Sequence, residues 1–238
     1  MTAPVMTESD SVLVVDDEQF SRQIVGRILR DIGNPQIVYA RNGAEALAAI
    51  TAPDAAFKVI VSDFNMPVMN GLELLKTIRT STNAIRHDMP FVMLTGLADR
   101  AVVGAAMALD TDSFVVKPVS RAALESRINR ALSEPRDLKS PKAYGEVDIE
   151  AATTGLLGHE PVGQPRKPEP KAEPAIPPNS QRVMLAAVKP GSILAQEIRS
   201  PTGELLLASG VPLSPRLITR LKDLSTLKIN IDHVWVQA

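Results

Sequence analysis

The chain has 238 residues, 45% hydrophobic but only 3% aromatic, and a formal net charge of −1. This length suits one large or two small domains with a core of Val, Ile, Leu, Ala and Met, and the near-zero charge argues against a nucleic-acid binder or an acidic tail protein. With no cysteine and three scattered histidines, disulfides, thiolate-ligated metals and an imidazole metal site are all excluded as expectations.

The first residues, MTAPVMTESD, lack a basic patch followed by an apolar core. Residues 1–9 therefore read as a disordered tail rather than a signal peptide. No apolar stretch approaches the roughly 18 residues of a membrane span, so a cytoplasmic protein without membrane contact is expected. From there the pattern alternates. Ser11–Val15 reads as a strand. Residues 19–32 have helical spacing through Phe20, Ile24, Ile28 and Ile32, with Val25 and Leu29 alongside, and Gly33 reads as the helix stop. Strands follow at Ile37–Ala40, Val59–Ser62, Phe91–Leu94 and Ser113–Val116. Helices follow at Ala44–Ile50, Gly71–Thr80, Arg100–Leu109 and Arg121–Leu132, the last with Ser120 as N-cap. Five β–α units predict a parallel sheet with helices on both faces. Runs such as SVLVV, KVIVS and PFVML are the continuous apolar strands of such a sheet.

Polar residues stand where these strands end: Asp16, Asp17 and Glu18 after the first, Asp63 after the third, Thr95 and Gly96 after the fourth, Lys117 and Pro118 after the fifth. Strands of a parallel sheet share one carboxyl edge, where ligands collect. If the first and third strands are neighbours, three carboxylates converge beside a hydroxyl and an ammonium. Clustered carboxylates repel unless a cation relieves them, and Mg²⁺ takes oxygen ligands of this kind. The set suits phosphoryl transfer, with a carboxylate as nucleophile.

Residues 10–133 resemble a two-component response-regulator receiver domain (CheY-like), on the segments LVVDDE, SDFNMPVMNGLELL, MLTG and FVVKP in that order. The resemblance implies a doubly wound (βα)₅ sheet of flavodoxin type, order 2-1-3-4-5. It implies that Asp63 accepts a phosphoryl group from a histidine kinase or phosphotransfer protein. Asp17 would bind Mg²⁺ directly, Asp16 through water, and Asn65 through its main-chain carbonyl. Lys117 would pair with the phosphate and Pro118 would follow a cis peptide bond. Thr95 and Phe114 would form the switch pair. A homodimer is compatible with this family. One departure stands out: the turn before the fifth strand is ALDTDSF, without the usual glycine, and Asp110 would have to take the left-handed conformation itself.

Nine of the 19 prolines fall between Pro135 and Pro178. Residues 134–180 therefore read as a Pro-rich flexible linker, with GLLGHEP as an apolar patch inside it. Residues 181–238 read as a small α+β module. Strands are expected at Gln181–Val188, Ser192–Ile198, Leu205–Ser209 and Ile231–Val236. A helix is expected after Ser214, with Leu217, Leu221 and Leu224 inward. A segment this small buries little surface alone, so docking or oligomerisation is expected. With one clear helix it lacks the paired helices of a DNA reader. VKPGSILAQEIRSPTGELLLASGVPLSP resembles the small module found beside HD-GYP domains, without the catalytic part. No separate catalytic output is expected, and the output would be a protein partner. Arg216 and Arg220 read as a solvated helix face. In an alternative reading they bind a nucleotice ligand such as cyclic-di-GMP in a ligand-sensing C-terminal domain. His233 beside Trp235 reads as packing.

Overall fold

A computed structural model describes residues 6–82, 85–96, 102–136, 138–150, 179–199, 205–227 and 229–237. The N-terminal unit runs β1 (Ser11–Val15), α1 (Gln19–Gly33), β2 (Gln36–Ala40), α2 (Gly43–Ile50), β3 (Phe57–Asp63), α3 (Gly71–Thr80), β4 (Phe91–Thr95), α4 (Val103–Ala108), β5 (Ser113–Val116) and α5 (Arg121–Ser133). All five strands are parallel in the order β2-β1-β3-β4-β5. The expected doubly wound sheet is present, and β1 and β3 are neighbours.

Successive strand residues face opposite sides, and both sides are apolar. Val12, Val14, Val59, Val61, Val92 and Leu94 pack against Val25 and Leu29 of α1 and Leu124 and Ile128 of α5. Leu13, Val15, Ile60, Phe91, Met93 and Phe114 face α2, α3 and α4. The helix α1 buries Val25 and Leu29, while Phe20 and Ile24 are exposed. Its stop is Asn34, at φ 50, rather than Gly33. Gly33 serves a close approach instead, because a Cβ there would lie 2.4 Å from the Met6 carbonyl oxygen.

The chain beyond α5 departs from the expected linker. The helix α6 (Pro141–Gly145) lies against α3 and buries Tyr144 completely. Tyr144 Oη donates to Asp110 Oδ2 at 2.8 Å, and Arg136 donates to Asp112, to the Asp88 carbonyl and to the Ala131 carbonyl. Lys139 Nζ donates to the Ala108 carbonyl at 3.0 Å, so residues 138–150 include a packed strap, held through Tyr144 and Lys139 on the sheet's lower edge. GLLGHEP lies outside the described residues.

The C-terminal part forms β6 (Ser180–Met184), β7 (Ile198–Arg199), β8 (Leu205–Leu207), α7 (Pro215–Asp223) and β9 (His233–Gln237). Strands β6 and β9 pair antiparallel, as do β7 and β8. The expected strand over residues 192–198 is mostly isolated bridges, at Ile193 and Leu194, with regular pairing only at its end. Val234 and Val236 face inward, whereas His233 is exposed, so its expected packing role is not met.

This part does not stand apart. Leu206, Ile218, Leu221 and Leu224 join the same apolar cluster as Val102, Val103 and Met107 around α4. Each fully buried aliphatic side chain contributes about 1.5–3 kcal/mol, so the four together outweigh any single ion pair at the contact. The strand β5 is an edge of the sheet, yet it is buried through Val115, with α5 and α7 lying against it. Among the described residues no helix is long and apolar enough to cross a membrane.

Candidate functional site

The carboxyl ends of β1, β3, β4 and β5 bring the expected residues to one edge. Asp16 and Asp63 are buried and Asp17 is exposed, and oxygen atoms of all three lie within 4.8 Å of one another. Lys117 Nζ lies 2.9 Å from Asp16 Oδ2 and 2.8 Å from Asp63 Oδ1. Asp16 is held firmly: the Glu18 amide donates to Oδ1 at 2.9 Å and the Ser21 hydroxyl to Oδ2 at 2.6 Å. Ser21 carried no signal in the sequence, since only the return of α1 over the strand end brings it there.

Burial pushes the Asp63 carboxyl up to about 6; Lys117 opposes the rise and Asp16 adds to it. Burial disfavours charge on Lys117, but its contacts with Asp63 and Asp16 outweigh that and raise its pKa. An all-oxygen cluster with a destabilised carboxylate is what a hard divalent cation relieves, so these residues fit Mg²⁺.

Local structure fixes Asp63. Gly71 opens α3 so close to it that a Cβ would lie 2.4 Å from the Asp63 carbonyl oxygen. Asn70 caps that helix, accepting from Leu72 and Glu73 amides while Glu73 accepts from the Asn70 amide. Between them Val68 sits at φ 70 in a tight turn closed by the Met69 amide on the Pro67 carbonyl, 2.8 Å. That is a strained conformation for a β-branched residue, in the loop that also carries the exposed Asn65.

Thr95 is buried at the end of β4, its hydroxyl 3.2 Å from the Gly96 carbonyl. Phe114 is buried within β5, paired with Met93. The Lys117–Pro118 bond is cis.

Residues 12–129 match the family described as "Response regulator receiver domain". The chain is 34% identical over 121 residues to the "Chemotaxis protein CheY homolog" of Campylobacter jejuni, covering 51% of this chain and 91% of that one. The chain belongs to the response-regulator receiver family. Among solved structures, CheY4 of Vibrio cholerae is 34% identical, covering 52% of this chain and 99% of its own, with a TM-score of 0.45. A receiver domain from Clostridium thermocellum is 28% identical, covering 52% and 94%, with a TM-score of 0.47. The family places the protein in two-component signalling.

The receiver's one departure has a structural reason. Asp110 does adopt the left-handed conformation, at φ 55. A glycine would do so at less cost, but it would lack the carboxylate, which accepts from Tyr144 and, at 2.8 Å, from Arg220. Asp112, two residues on, is fully buried and accepts from Arg79, Arg136, Arg216 and the Phe91 amide. Arg79 is itself buried and also donates to the carbonyls of His87, Met89, Leu109 and Asp110. Periodicity alone could not find this hub, whose members come from five separate elements and connections.

Arg216 and Arg220 therefore do not line a solvated face. They are 9% and 2% exposed and point into the receiver. The same contact gives the cyclic-di-GMP reading no support, because Arg216 and Arg220 turn to the carboxylates of Asp112 and Asp110.

Proposed function

We propose that Asp63 is the phosphoacceptor of a two-component relay and that its loading switches a protein-interaction output. The observation that carries this is Lys117, 2.8 Å from Asp63 and 2.9 Å from Asp16 inside a three-carboxylate cluster. The donor would be a phosphohistidine on a histidine kinase or phosphotransfer protein. An Asp63 carboxylate oxygen attacks phosphorus, the new O–P bond forms, and the N–P bond breaks. Its electron pair stays on the imidazole nitrogen, which takes a proton from solvent. With a pKa of about 6, Asp63 is mostly ionised at neutral pH and able to act as nucleophile.

Asp17, Asp63 and the Asn65 carbonyl would hold Mg²⁺, with Asp16 acting through water. The bound ion supplies neutralisation of the phosphoryl oxygens. Lys117 balances the charge gained, about −1.5 to −2 for a phosphate. The Thr95 hydroxyl donates to a phosphoryl oxygen and Phe114 responds as its partner in the switch. Chemistry is confined to Asp63 and its slow self-dephosphorylation. The receiver spans residues 10–133, and the C-terminal module is the output region, working in the cytoplasm through a protein rather than DNA.

The test is NMR of the full chain with Mg²⁺ and beryllofluoride, a phosphoryl mimic. Thr95 and Phe114 signals should shift in the wild type and not in Asp63→Asn. An equal response of the variant would overturn the assignment.

A further inference from the structure

We propose that the junction between α7 and the turn before β5 is a binding site for a small monovalent anion of the chloride class, with Arg216 Nη1 and Arg220 Nε as its donors. The site uses none of the residues around Asp63 and does not depend on the phosphoacceptor reading.

The first ground is charge. Four guanidinium groups, of Arg79, Arg136, Arg216 and Arg220, gather at this turn, and among the described residues they pair with two carboxylates, Asp112 and Asp110. Asp88, whose carbonyl accepts from Arg136, has its carboxylate on Arg86. Lys139, which is half exposed, adds an ammonium 3.6 Å from Asp110. Tyr144 brings no negative charge, because burial and Asp110 push the pKa of its hydroxyl up. Burial pushes the Arg216 guanidinium down to about 10, Asp112 opposes the fall, and Arg220 and Arg136 add to it, so at neutral pH it remains a cation repelled by its neighbours. An excess of two positive charges on buried or nearly buried side chains is unfavourable unless a counter-charge meets it.

The second ground is hydrogen bonding. Asp112 Oδ2 accepts from Arg79 and the Phe91 amide, and Oδ1 from Arg136 and Arg216. Four donors fill the capacity of an ionised carboxylate, so Asp112 has nothing left for a second Arg216 nitrogen. Asp110 takes Arg220 Nη1 on one oxygen and Tyr144 on the other. Arg216 Nη1 and Arg220 Nε are buried and find no acceptor among the described residues, although both side chains are at least nine-tenths buried. Such groups are costly to leave unsatisfied. Four residues apart, the two arginines are neighbours on one face of α7, and both turn toward the same receiver turn.

The two grounds together select the ligand. A water accepts the hydrogen bonds but leaves the charge excess, whereas an anion answers both. A phosphate or sulfate carries more acceptor oxygens than these two donors fill, and the surplus would be buried unpaired. A monatomic anion of single charge has no such surplus and no preferred ligand geometry. Its donors come from the C-terminal module, while the carboxylates sharing those arginines come from the receiver. The ion therefore strengthens the seat of α7 on the receiver.

The test uses the full chain. Thermal melts are compared in sodium chloride and sodium gluconate at equal ionic strength, so that general screening is the same in both. Chloride should raise the midpoint by about 2–4 °C. The ³⁵Cl NMR line should be broadened by the wild type and narrowed again by added bromide but not by phosphate. Arg216→Gln/Arg220→Gln, which removes both charges, should lose the chloride dependence of both readouts. That variant also removes two buried ion pairs, so a bromide soak of wild-type crystals gives a reading that needs no substitution. An anomalous peak is expected within hydrogen-bonding reach of Arg216 Nη1 and Arg220 Nε. Equal midpoints in the two salts with a ³⁵Cl line at its protein-free width would overturn the site, as would a bromide peak only elsewhere. Narrowing by phosphate would overturn the assignment to a monatomic ion.

Discussion

Arg220 of α7 donates to Asp110 across 2.8 Å, although the two residues lie 110 positions apart in the chain. Asp110 holds this geometry at φ 55, a conformation that glycine adopts freely and aspartate at some cost. The residue therefore trades backbone comfort for a charge placed under the C-terminal helix.

Replacing it tests which effect wins. Asp110→Gly should relieve about 1 kcal/mol of backbone strain but leave Arg220 buried without its carboxylate, at about 3–5 kcal/mol. The expected net result is a loss of about 2–4 kcal/mol, read from urea unfolding of the full chain. An Arg220→Met partner variant completes the cycle: Asp110→Gly should cost far less in that background.

Asp63 should make the protein less stable as pH rises. Its folded pKa of about 6 stands above the ordinary value of 3.8. The folded state thus binds the proton more tightly, and stability falls as pH climbs through that window. Asp63→Asn removes the buried charge. At pH 7.5 in chelator the variant should exceed the wild type by about 1–3 kcal/mol, with the gap closing near pH 4. Added Mg²⁺ should raise the melting temperature of the wild type more than that of the variant. Thermal melts at both pH values check both statements.

Val68 offers an independent check on the loop after Asp63. It sits at φ 70 and is 84% exposed, so little apolar burial is at stake. The i→i+2 bond makes this a γ-turn at positive φ, which glycine, having no Cβ, adopts more freely than a β-branched residue. Val68→Gly should therefore stabilise the protein by up to about 1 kcal/mol, measured by chemical denaturation.

For Gly104→Ala, two effects again compete. Alanine favours the α4 helix by about 1 kcal/mol over glycine, but its Cβ would meet the Leu205 carbonyl at 2.3 Å. Backbone cannot step aside as a flexible side chain can, so overpacking of about 1–3 kcal/mol should prevail. The loss should appear first as faster exchange in β8 rather than in the sheet.

By itself, the sequence determined the receiver unit and most of its site. Continuous apolar runs such as Val12–Val15 demand a buried parallel strand, and helical spacing between them demands covering helices. Strand direction then gathers Asp16, Asp17, Asp63, Thr95 and Lys117 at one edge without further information. Tertiary structure alone decided the rest. Arg216 and Arg220 look like any charged helix face until Asp110 and Asp112 are found beneath them, and Tyr144 looks like linker until α3 is found beside it. The reason is physical. Periodicity reports which residues face inward within one element, whereas a buried charge is tolerated only where a partner from a distant element meets it, and that meeting has no local signature.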